Sequence, residues 1–218
     1  MSVDMMVSLL STALYETLYM VFFSGLIGMS LGAVLGVVLF CTKRGGIVTC
    51  YPMYIVLTAI TNAARSIPFI ILLVAIIPVT RFIVGTSIGT ASAIVPLALG
   101  TIPFVGRIVE NALAEISSGL IEAAWSMGAT PVQIVWRFLL PEALPAIING
   151  LTVTVVLLVS YSAMAGAVGG GGLGDLGIRY GYQRFNFTMM AATVVILIIL
   201  VQCLQWVGDR ISRQFNKR

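Results

Sequence analysis

The sequence contains very little charge for its length. Only 9% of its 218 residues are charged, 59% belong to the hydrophobic set, and the mean hydropathy is +1.07. A soluble domain carries about 25% charged residues, so this chain has too little charge to cover the surface of a water-soluble globule. Disorder is excluded too, because disordered segments are rich in charge and poor in apolar residues. The chain is therefore expected to be an all-α, polytopic membrane protein, with room for about five or six spans of about 20 residues.

Histidine is absent and cysteine is scarce. Without histidine the chain lacks the commonest general base, the usual zinc ligand and every Ser-His or Cys-His nucleophile arrangement. Cys41, Cys50 and Cys203 have neither metal-ligand spacing nor a pairing pattern, and we expect them to be small buried hydrophobes. We predict no catalytic residue, no cofactor and no metal site. The net charge of +4 indicates no nucleic-acid partner, because Lys and Arg mostly set orientation in a membrane protein.

Long apolar runs divide the chain into five predicted spans. Their approximate ranges are 18–40, 55–79, 91–112, 146–168 and 187–207. Before the first span lies a short segment, 1–11. A polar interruption follows the third span, at 113–145, and a basic tail follows the last, at 208–218. The glycine-rich stretch Gly169–Gly181 is expected to be a flexible, close-packing loop.

Polar residues interrupt the second span. Pro68 lacks a backbone donor and disfavours helical geometry in the residue before it, so we expect an interfacial or kinked segment up to Arg65 and a deeper helix from about Ile67. The Arg65 side chain either reaches the cytoplasmic headgroups or faces a polar cavity or partner.

Two sequence spacings predict helix contacts. Gly28, Gly32 and Gly36 recur every four residues, a pattern that indicates a close helix–helix seam, although glycine is also frequent in membrane helices generally. Arg107 and Glu110 are three residues apart on one helical face, where they can form an ion pair.

The distribution of Lys and Arg predicts the orientation. Alternate loops carry seven basic residues on one side and three on the other, which places the first side in the cytoplasm. The seven are Lys43, Arg44, Arg137, Arg210, Arg213, Lys217 and Arg218, and the three are Arg81, Arg179 and Arg184. The N-terminus is therefore expected outside, and both the C-terminus and the 113–145 interruption inside.

Within that interruption the sequence predicts a helical elbow. Ser118 is expected to cap a first helix, and Gly128 to occupy the left-handed position that ends it. Thr130, with Gln133 three residues later, forms a capping-box pattern for a second helix, which Pro141 is expected to end. So small an elbow has little core of its own. Its apolar side chains are therefore expected to dock into a partner's groove; they are Ile121, Trp125 and Met127.

The elbow resembles a known motif. The pattern E-A-A-x-x-x-G-A, followed by L-P, is similar to the EAA loop of binding-protein-dependent ABC importer permeases. It is carried by Glu122, Ala123, Ala124, Gly128, Leu140 and Pro141. The resemblance extends over 12–207 as an ABC type-1 transmembrane domain and implies a type I importer architecture. It also implies that these six residues couple the chain to ATP-binding subunits.

The resemblance implies an assembly in a bacterial inner membrane. Its parts would be two copies of this chain, two ATP-binding subunits that hydrolyse ATP, and a periplasmic or lipid-anchored solute-binding protein. The chain itself would be a non-catalytic transport subunit.

A narrower resemblance is to methionine-import permeases, through the stretches 65–74, 139–145 and 161–174. It implies D- or L-methionine as the solute, and another small amino acid or related solute is the alternative. An ion-coupled secondary transporter or channel is a further alternative from a different class. A membrane-embedded enzyme is poorly supported, because the chain has no histidine.

Met164 lies among small residues in the fourth span. It is either a gap-filling core side chain or, with a second copy of the chain, an apolar gate on the dimer axis.

Overall fold

The computed structural model describes residues 3–215, and every regular element within that range is helical. The long helices are α1 (Val3–Thr42), α2 (Tyr51–Ser66), α5 (Thr90–Ala114), α8 (Leu140–Ala165) and α10 (Phe187–Phe215). The shorter helices are α3 (Phe69–Ala75), α4 (Ile77–Val84), α6 (Ser118–Ser126), α7 (Pro131–Gln133) and α9 (Gly172–Leu176). π-Helical turns cover Ile134–Leu139 and Gly177–Tyr182, and the turn Gly166–Gly170 is kinked at Val168 and Gly169, whose backbone angles are not helical. The expectation of an all-α fold is confirmed.

Four helical segments in the described range are long and apolar enough to cross a membrane. They are α1, α5, α10 and the continuous helical run Pro131–Gly170, which contains α8. A fifth crossing is possible through α2 and α3, which are bent by 103° across a short break. Ile67 is extended there and Pro68 caps α3, as expected for a residue that precedes proline. The predicted kink between Arg65 and Ile67 is confirmed.

Helix directions fix the path of the chain. Successive glycines of α1 meet successive residues of α5 in the same order, so these two helices run parallel. The chain between them must therefore return through α2, α3 and α4, which together make one crossing. Gly150 of α8 meets Ile108 of α5, and Gly170, just after α8, meets Ala93 near the start of α5, so these two helices are antiparallel. Gly208 of α10 meets Thr152 of α8, and Ser212 donates to the Pro145 carbonyl, so α10 is also antiparallel to α8. The described chain therefore passes along the bundle five times, counting the bent pair α2 and α3 with α4 as one pass, and residues 3 and 215 lie at opposite ends.

The glycine seam between α1 and α5 is very close. A Cβ atom on Gly28 would lie 2.7 Å from the Thr101 Cβ. One on Gly32 would lie 2.6 Å from the Cβ of Val105, and the next, on Gly36, 2.6 Å from that of Val109. Carbonyl oxygens of α5 lie almost as near. The predicted seam is confirmed, because only glycine lets the two backbones approach this closely.

Three apolar clusters follow one another along the bundle. The first, at the end that holds α6 and α7 (the elbow end), includes Phe40, Val109, Leu113 and Leu139. The middle cluster includes Met20, Phe69, Leu97 and Leu158. The third, at the end that holds Gly166–Tyr182 (the hairpin end), consists of Leu10, Ala13, Leu173, Leu176 and Met189.

The ends of the chain are more helical than the sequence indicated. The expected separate segment 1–11 is part of α1 from Val3 onward, and its residue Leu10 is buried. At the other end α10 continues through the expected tail to Phe215. Lys217 and Arg218 of that tail lie outside the described residues.

The stretch Gly169–Gly181 is largely helical and not the expected loop, whereas its expected close packing is confirmed. Gly169, Gly171 and Gly172 have positive φ angles of 93°, 80° and 77°, which turn the chain sharply. The chain then enters α9, which packs back against α8 so closely that a Cβ on Gly166 would lie 2.5 Å from the Asp175 nitrogen. The many glycines therefore permit a tight hairpin, here called the α8–α9 hairpin (Ala165–Leu176).

The cysteines also differ from expectation. All three are free thiols, but Cys50 and Cys203 are exposed on the surface of the chain, and Cys41 is half-buried. The sequence pattern did not distinguish the surface of a thin bundle from its core, because both are apolar in a membrane protein.

The seam predicts unequal effects for two glycine substitutions in α1. A methyl group at Gly32 would force α5 away, whereas at Gly25 it would lie 3.4 Å from a flexible Leu158 side-chain atom, an ordinary contact. We expect Gly32→Ala to destabilise the fold by about 1–3 kcal/mol and Gly25→Ala to cost much less. Thermal unfolding of the purified protein in mild detergent measures both. Equal midpoints for the two variants would contradict the seam.

Candidate coupling site

The corner of the elbow is a Schellman motif that ends α6. The N–H of Gly128 donates to the Trp125 carbonyl at 2.9 Å, and that of Ala129 donates to the Ala124 carbonyl at 3.1 Å. Gly128 has a φ of 76°, the left-handed conformation that this motif requires. No atom lies within 4 Å of where its Cβ would be, so glycine is needed here for its backbone and not for space.

The second half of the elbow begins with the predicted capping box. The Thr130 hydroxyl accepts the Gln133 N–H at 3.4 Å, and the Gln133 side chain accepts the Thr130 N–H at 2.9 Å. The prediction for the start of α6 is wrong, because Ser117, not Ser118, occupies the N-cap position. The Ser117 side chain makes no capping bond there.

Pro141 does not end the second helix of the elbow. The chain passes from α7 through the π-turn Ile134–Leu139 directly into α8, with Pro141 in the first turn of α8. A π-turn shifts backbone pairing by one residue, and the Leu140 N–H donates to the Val135 carbonyl five positions earlier. This local shift accommodates a residue without an N–H, so the elbow is joined to a membrane-crossing helix without a break.

The six residues of the E-A-A…G…L-P motif divide into exposed and packed groups. Glu122, Ala123, Gly128 and Pro141 are exposed. Ala124 is fully buried against Ile134 and Leu139, and Leu140 packs against the same cluster. The motif therefore combines residues that close the corner of the elbow with residues that face outward from it.

Several large apolar side chains are exposed on the outward surface of the elbow. The side chains of Trp125 and Met127 are exposed, as the docking hypothesis expects, but Ile121 is partly buried against the elbow-end cluster. Val132 and Trp136 are also exposed, 66% and 69% respectively. These two residues were not among the predicted docking side chains, although their spacing of four residues places them on one helical face. Two exposed tryptophans on so short an elbow indicate a surface that a partner covers.

A cleft beside the elbow contains polar and charged groups. It lies between the end of α5, the π-turn and the start of α8, and its lining includes Glu115, Ser117, Arg137, Glu142 and Phe215. Among residues 3–215 no cluster of metal-ligating side chains occurs.

An ion-pair network joins α2 to α5 near the elbow end. Arg107 donates to Glu110 at 2.6 Å, which confirms the predicted pair, and Glu110 is only 6% exposed. The other Arg107 nitrogen donates to the Asn62 side chain at 2.9 Å, and Tyr54 donates to Glu110 at 3.3 Å. Both partners outside the pair belong to α2, so a buried charge and its hydrogen bonds fix α2 to the helix that leads into the elbow.

Arg65, at the end of α2, is exposed, and its guanidinium lies 5.9 Å from the ring centroid of Phe104. The next residues along the chain contribute a second aromatic contact. Phe69 of α3 stacks on Tyr161 of α8, with ring centroids 4.3 Å apart. Two of the stretches that carry the narrower resemblance, 65–74 and 161–174, therefore meet in space.

Met164 lies on an unpartnered face of α8. Its side chain is 46% exposed, and Ser160 and Val168, one turn away on either side, are exposed too. The alternative of a buried, gap-filling methionine is therefore wrong for the single chain.

The chain is similar to a known family and to proteins of known type. The model of the family described as binding-protein-dependent transport system inner membrane component matches residues 51–218. A probable D-methionine transport system permease protein MetI from Vibrio cholerae is 58% identical over 210 residues, 96% of this chain and 93% of that protein. The D-methionine transport system permease protein MetI of Escherichia coli K12 is 55% identical over 161 residues, 74% of each chain.

Solved structures give the same result. The MetNI methionine ABC transporter in inward-facing conformations contains a chain that matches with a TM-score of 0.97 and 54% identity, covering 100% of both chains. An amino acid ABC transporter crystallised with histidines matches with a TM-score of 0.78 and 18% identity, covering 95% of this chain and 94% of that one, which supports the fold alone.

The fold, the elbow and these matches together define a multi-pass permease subunit of the inner membrane. The chain belongs to the family of binding-protein-dependent transport system inner membrane components. The resemblance seen in its E-A-A motif is thereby confirmed.

The left-handed corner predicts a specific effect for a branched side chain. Gly128→Val should open the elbow, because an L-residue costs about 1–2 kcal/mol in this conformation. We expect faster amide exchange of peptides within 118–133 and unchanged membrane insertion. Gly119→Ala is the control, since its Cβ would make only an ordinary 3.7 Å contact inside α6. Equal exchange in both variants would show that the corner does not depend on Gly128.

Proposed function

We propose that the chain is the transmembrane permease subunit of an ATP-driven, binding-protein-dependent importer of methionine. The observation that carries the proposal is the elbow, which has the E-A-A…G…L-P residues, a glycine-dependent corner and an exposed apolar surface. The solute follows from the relatives, which are D-methionine permeases at 58% and 55% identity. Another small amino acid or related solute is the alternative at the same site.

The elbow would transmit motion between ATP-binding subunits and the membrane helices. The exposed set Trp125, Met127, Val132 and Trp136 would seat in a groove of the ATP-binding subunit, and Glu122 and Ala123 would lie at that contact. Because the elbow is continuous with α8, a displacement of the docked surface would reach the membrane-crossing helix directly. ATP would be hydrolysed in the partner, and the chain itself would be non-catalytic.

Two copies of the chain would form the pathway. Five crossings make too thin a wall to enclose a solute, and a two-fold pair supplies ten. The exposed stripe of α8 around Met164 would face the second copy, where two methionines would narrow the pathway on the axis. A solute-binding protein would deliver methionine at the hairpin end.

The elbow end would lie in the cytoplasm. Lys43, Arg44, Arg137, Arg210 and Arg213 all belong to this end of the bundle, as the positive-inside rule requires. The N-terminus would then be outside and the C-terminus inside.

The experiment that tests this function is a pull-down of the tagged chain from native membranes in mild detergent, with the co-purifying proteins identified by mass spectrometry. An ATP-binding subunit in equal amount, with a solute-binding protein that releases methionine, would support the proposal. A binding protein carrying a different solute would overturn methionine and leave the permease function. Recovery of the chain alone, with gradient-driven uptake in liposomes, would favour an ion-coupled transporter.

The gate hypothesis predicts a leak in one variant. Met164→Ala removes the bulky side chain from an otherwise small-residue stretch of α8, so ATP-independent passage of methionine through reconstituted complex should rise. Val153→Ala is the control, because Val153 is also exposed on α8 but lies three turns nearer the elbow. Equal leak and equal coupled uptake in parent and Met164→Ala would remove Met164 as the gate.

A further inference from the structure

Two side-chain contacts at the hairpin end have no role in the transport function as proposed so far. The Glu16 carboxylate accepts the N–H of Gly172 at 2.7 Å, and the Thr17 hydroxyl accepts the N–H of Leu173 at 2.9 Å. Both acceptors belong to α1, and both donors lie at the start of α9, just after the tight turn that closes the α8–α9 hairpin. A single turn of α1 thus holds two successive backbone N–H groups of the hairpin.

The contact leaves no room for other side chains. A Cβ on Gly171 would lie 2.8 Å from the Glu16 Oε2, and one on Gly172 would lie 2.7 Å from the Thr17 Oγ1. Both glycines also have positive φ angles. Glycine is therefore favoured at these positions for two reasons, the backbone conformation and the lack of space for a side chain. The glycine-rich stretch is therefore shaped to fit these two polar groups of α1.

Glu16 is an unusual residue in this position. It lies in a helix of high apolar content, and the ion pairs found among residues 3–215 are Arg107–Glu110 and Arg179–Asp175, neither of which involves it. The Glu16 carboxylate is partly buried, and the backbone N–H that it accepts from the hairpin is a charge-assisted hydrogen bond, stronger than one between neutral groups. Thr17, 1% exposed, is buried beside it.

The contact connects the hairpin to the closely packed pair of helices α1 and α5. The glycine seam locks α1 to α5, and the Gly89 N–H, just before α5, donates to the Gly169 carbonyl at 2.9 Å. The hairpin is thus attached to the α1–α5 pair from both sides. Met164 lies two residues before Gly166, where α8 enters the turn, so the attachment also fixes the part of α8 that carries Met164.

We propose that Glu16 and Thr17 are positioning residues that clasp the α8–α9 hairpin to α1 and so hold the Met164 segment of α8 in register during transport. The proposal rests on the proposed function, because it assigns Met164 to the pathway. With the clasp intact, the outer part of α8 moves only together with α1 and α5. With the clasp broken, the hairpin moves separately and the closed state of the pathway leaks.

Two pairs of variants test the clasp in the complete, reconstituted complex. Thr17→Val keeps the shape of the side chain and removes the acceptor, whereas Thr17→Ser retains it. Glu16→Leu removes the second acceptor, whereas Glu16→Gln keeps an acceptor oxygen without the charge. The near-isosteric Thr17→Val separates loss of the hydrogen bond from loss of the fold, and size-exclusion profiles establish that each complex is assembled.

The test needs two measurements, amide exchange, which does not depend on the solute, and methionine leak, which does. Amide exchange of peptides that contain Gly172 and Leu173 should become about tenfold faster in Thr17→Val and Glu16→Leu. ATP-independent methionine leak should rise in these two variants, while Thr17→Ser and Glu16→Gln stay within about twofold of the parent in both measurements.

Other outcomes would overturn the clasp. Unchanged exchange in the Glu16→Leu/Thr17→Val double variant would show that these bonds do not hold the hairpin. Faster exchange without leak would refute the positioning of Met164, and equal effects of Glu16→Gln and Glu16→Leu would refute the hydrogen-bond mechanism. If the parent complex fails to import methionine, the proposed function fails, and the exchange measurement still decides whether the clasp exists.

Discussion

The close, parallel packing of α1 against α5 is the constraint on which the rest of the structure depends. Three glycines at four-residue intervals bring the two backbones into contact, and lipid cannot supply a hydrophobic force that would replace this contact. Because the two helices run in the same direction, the intervening chain must return across the bundle. The bent pair α2 and α3, followed by α4, provides that return. The chain therefore passes along the bundle an odd number of times.

Both functional ends are attached to this pair. At the elbow end α5 leads into α6. The Arg107–Glu110 network ties α2 to α5 near the same end. At the hairpin end Glu16 and Thr17 of α1 hold the turn that follows α8. The ion pair at the buried Glu110 and the partly buried carboxylate of Glu16 both lie where helices from different parts of the chain must keep a fixed relation, and both are hydrogen-bonded across that contact. Such an arrangement favours movement of the subunit as one body.

Features that depend on local sequence were predictable, and those that depend on distant contacts were not. The glycine seam, the Arg107–Glu110 pair, the capping box at Thr130 and the left-handed Gly128 each follow from residues close together in sequence. The hairpin fold of the glycine-rich stretch could not be predicted, because its hydrogen-bond partners, Glu16 and Thr17, are far away in sequence. The prediction that Pro141 ends a helix fails because the preceding π-turn accommodates the proline, and nothing in the local sequence indicates that π-turn.

The most direct test of the whole assignment is uptake of labelled methionine by proteoliposomes that contain the chain with its ATP-binding subunit, with the solute-binding protein added at the hairpin side. Uptake should require ATP at the elbow side and the loaded binding protein at the other, and an ion gradient alone should give none. Uptake driven by an ion gradient in the absence of ATP would contradict the assignment of this chain as the permease of an ATP-driven importer.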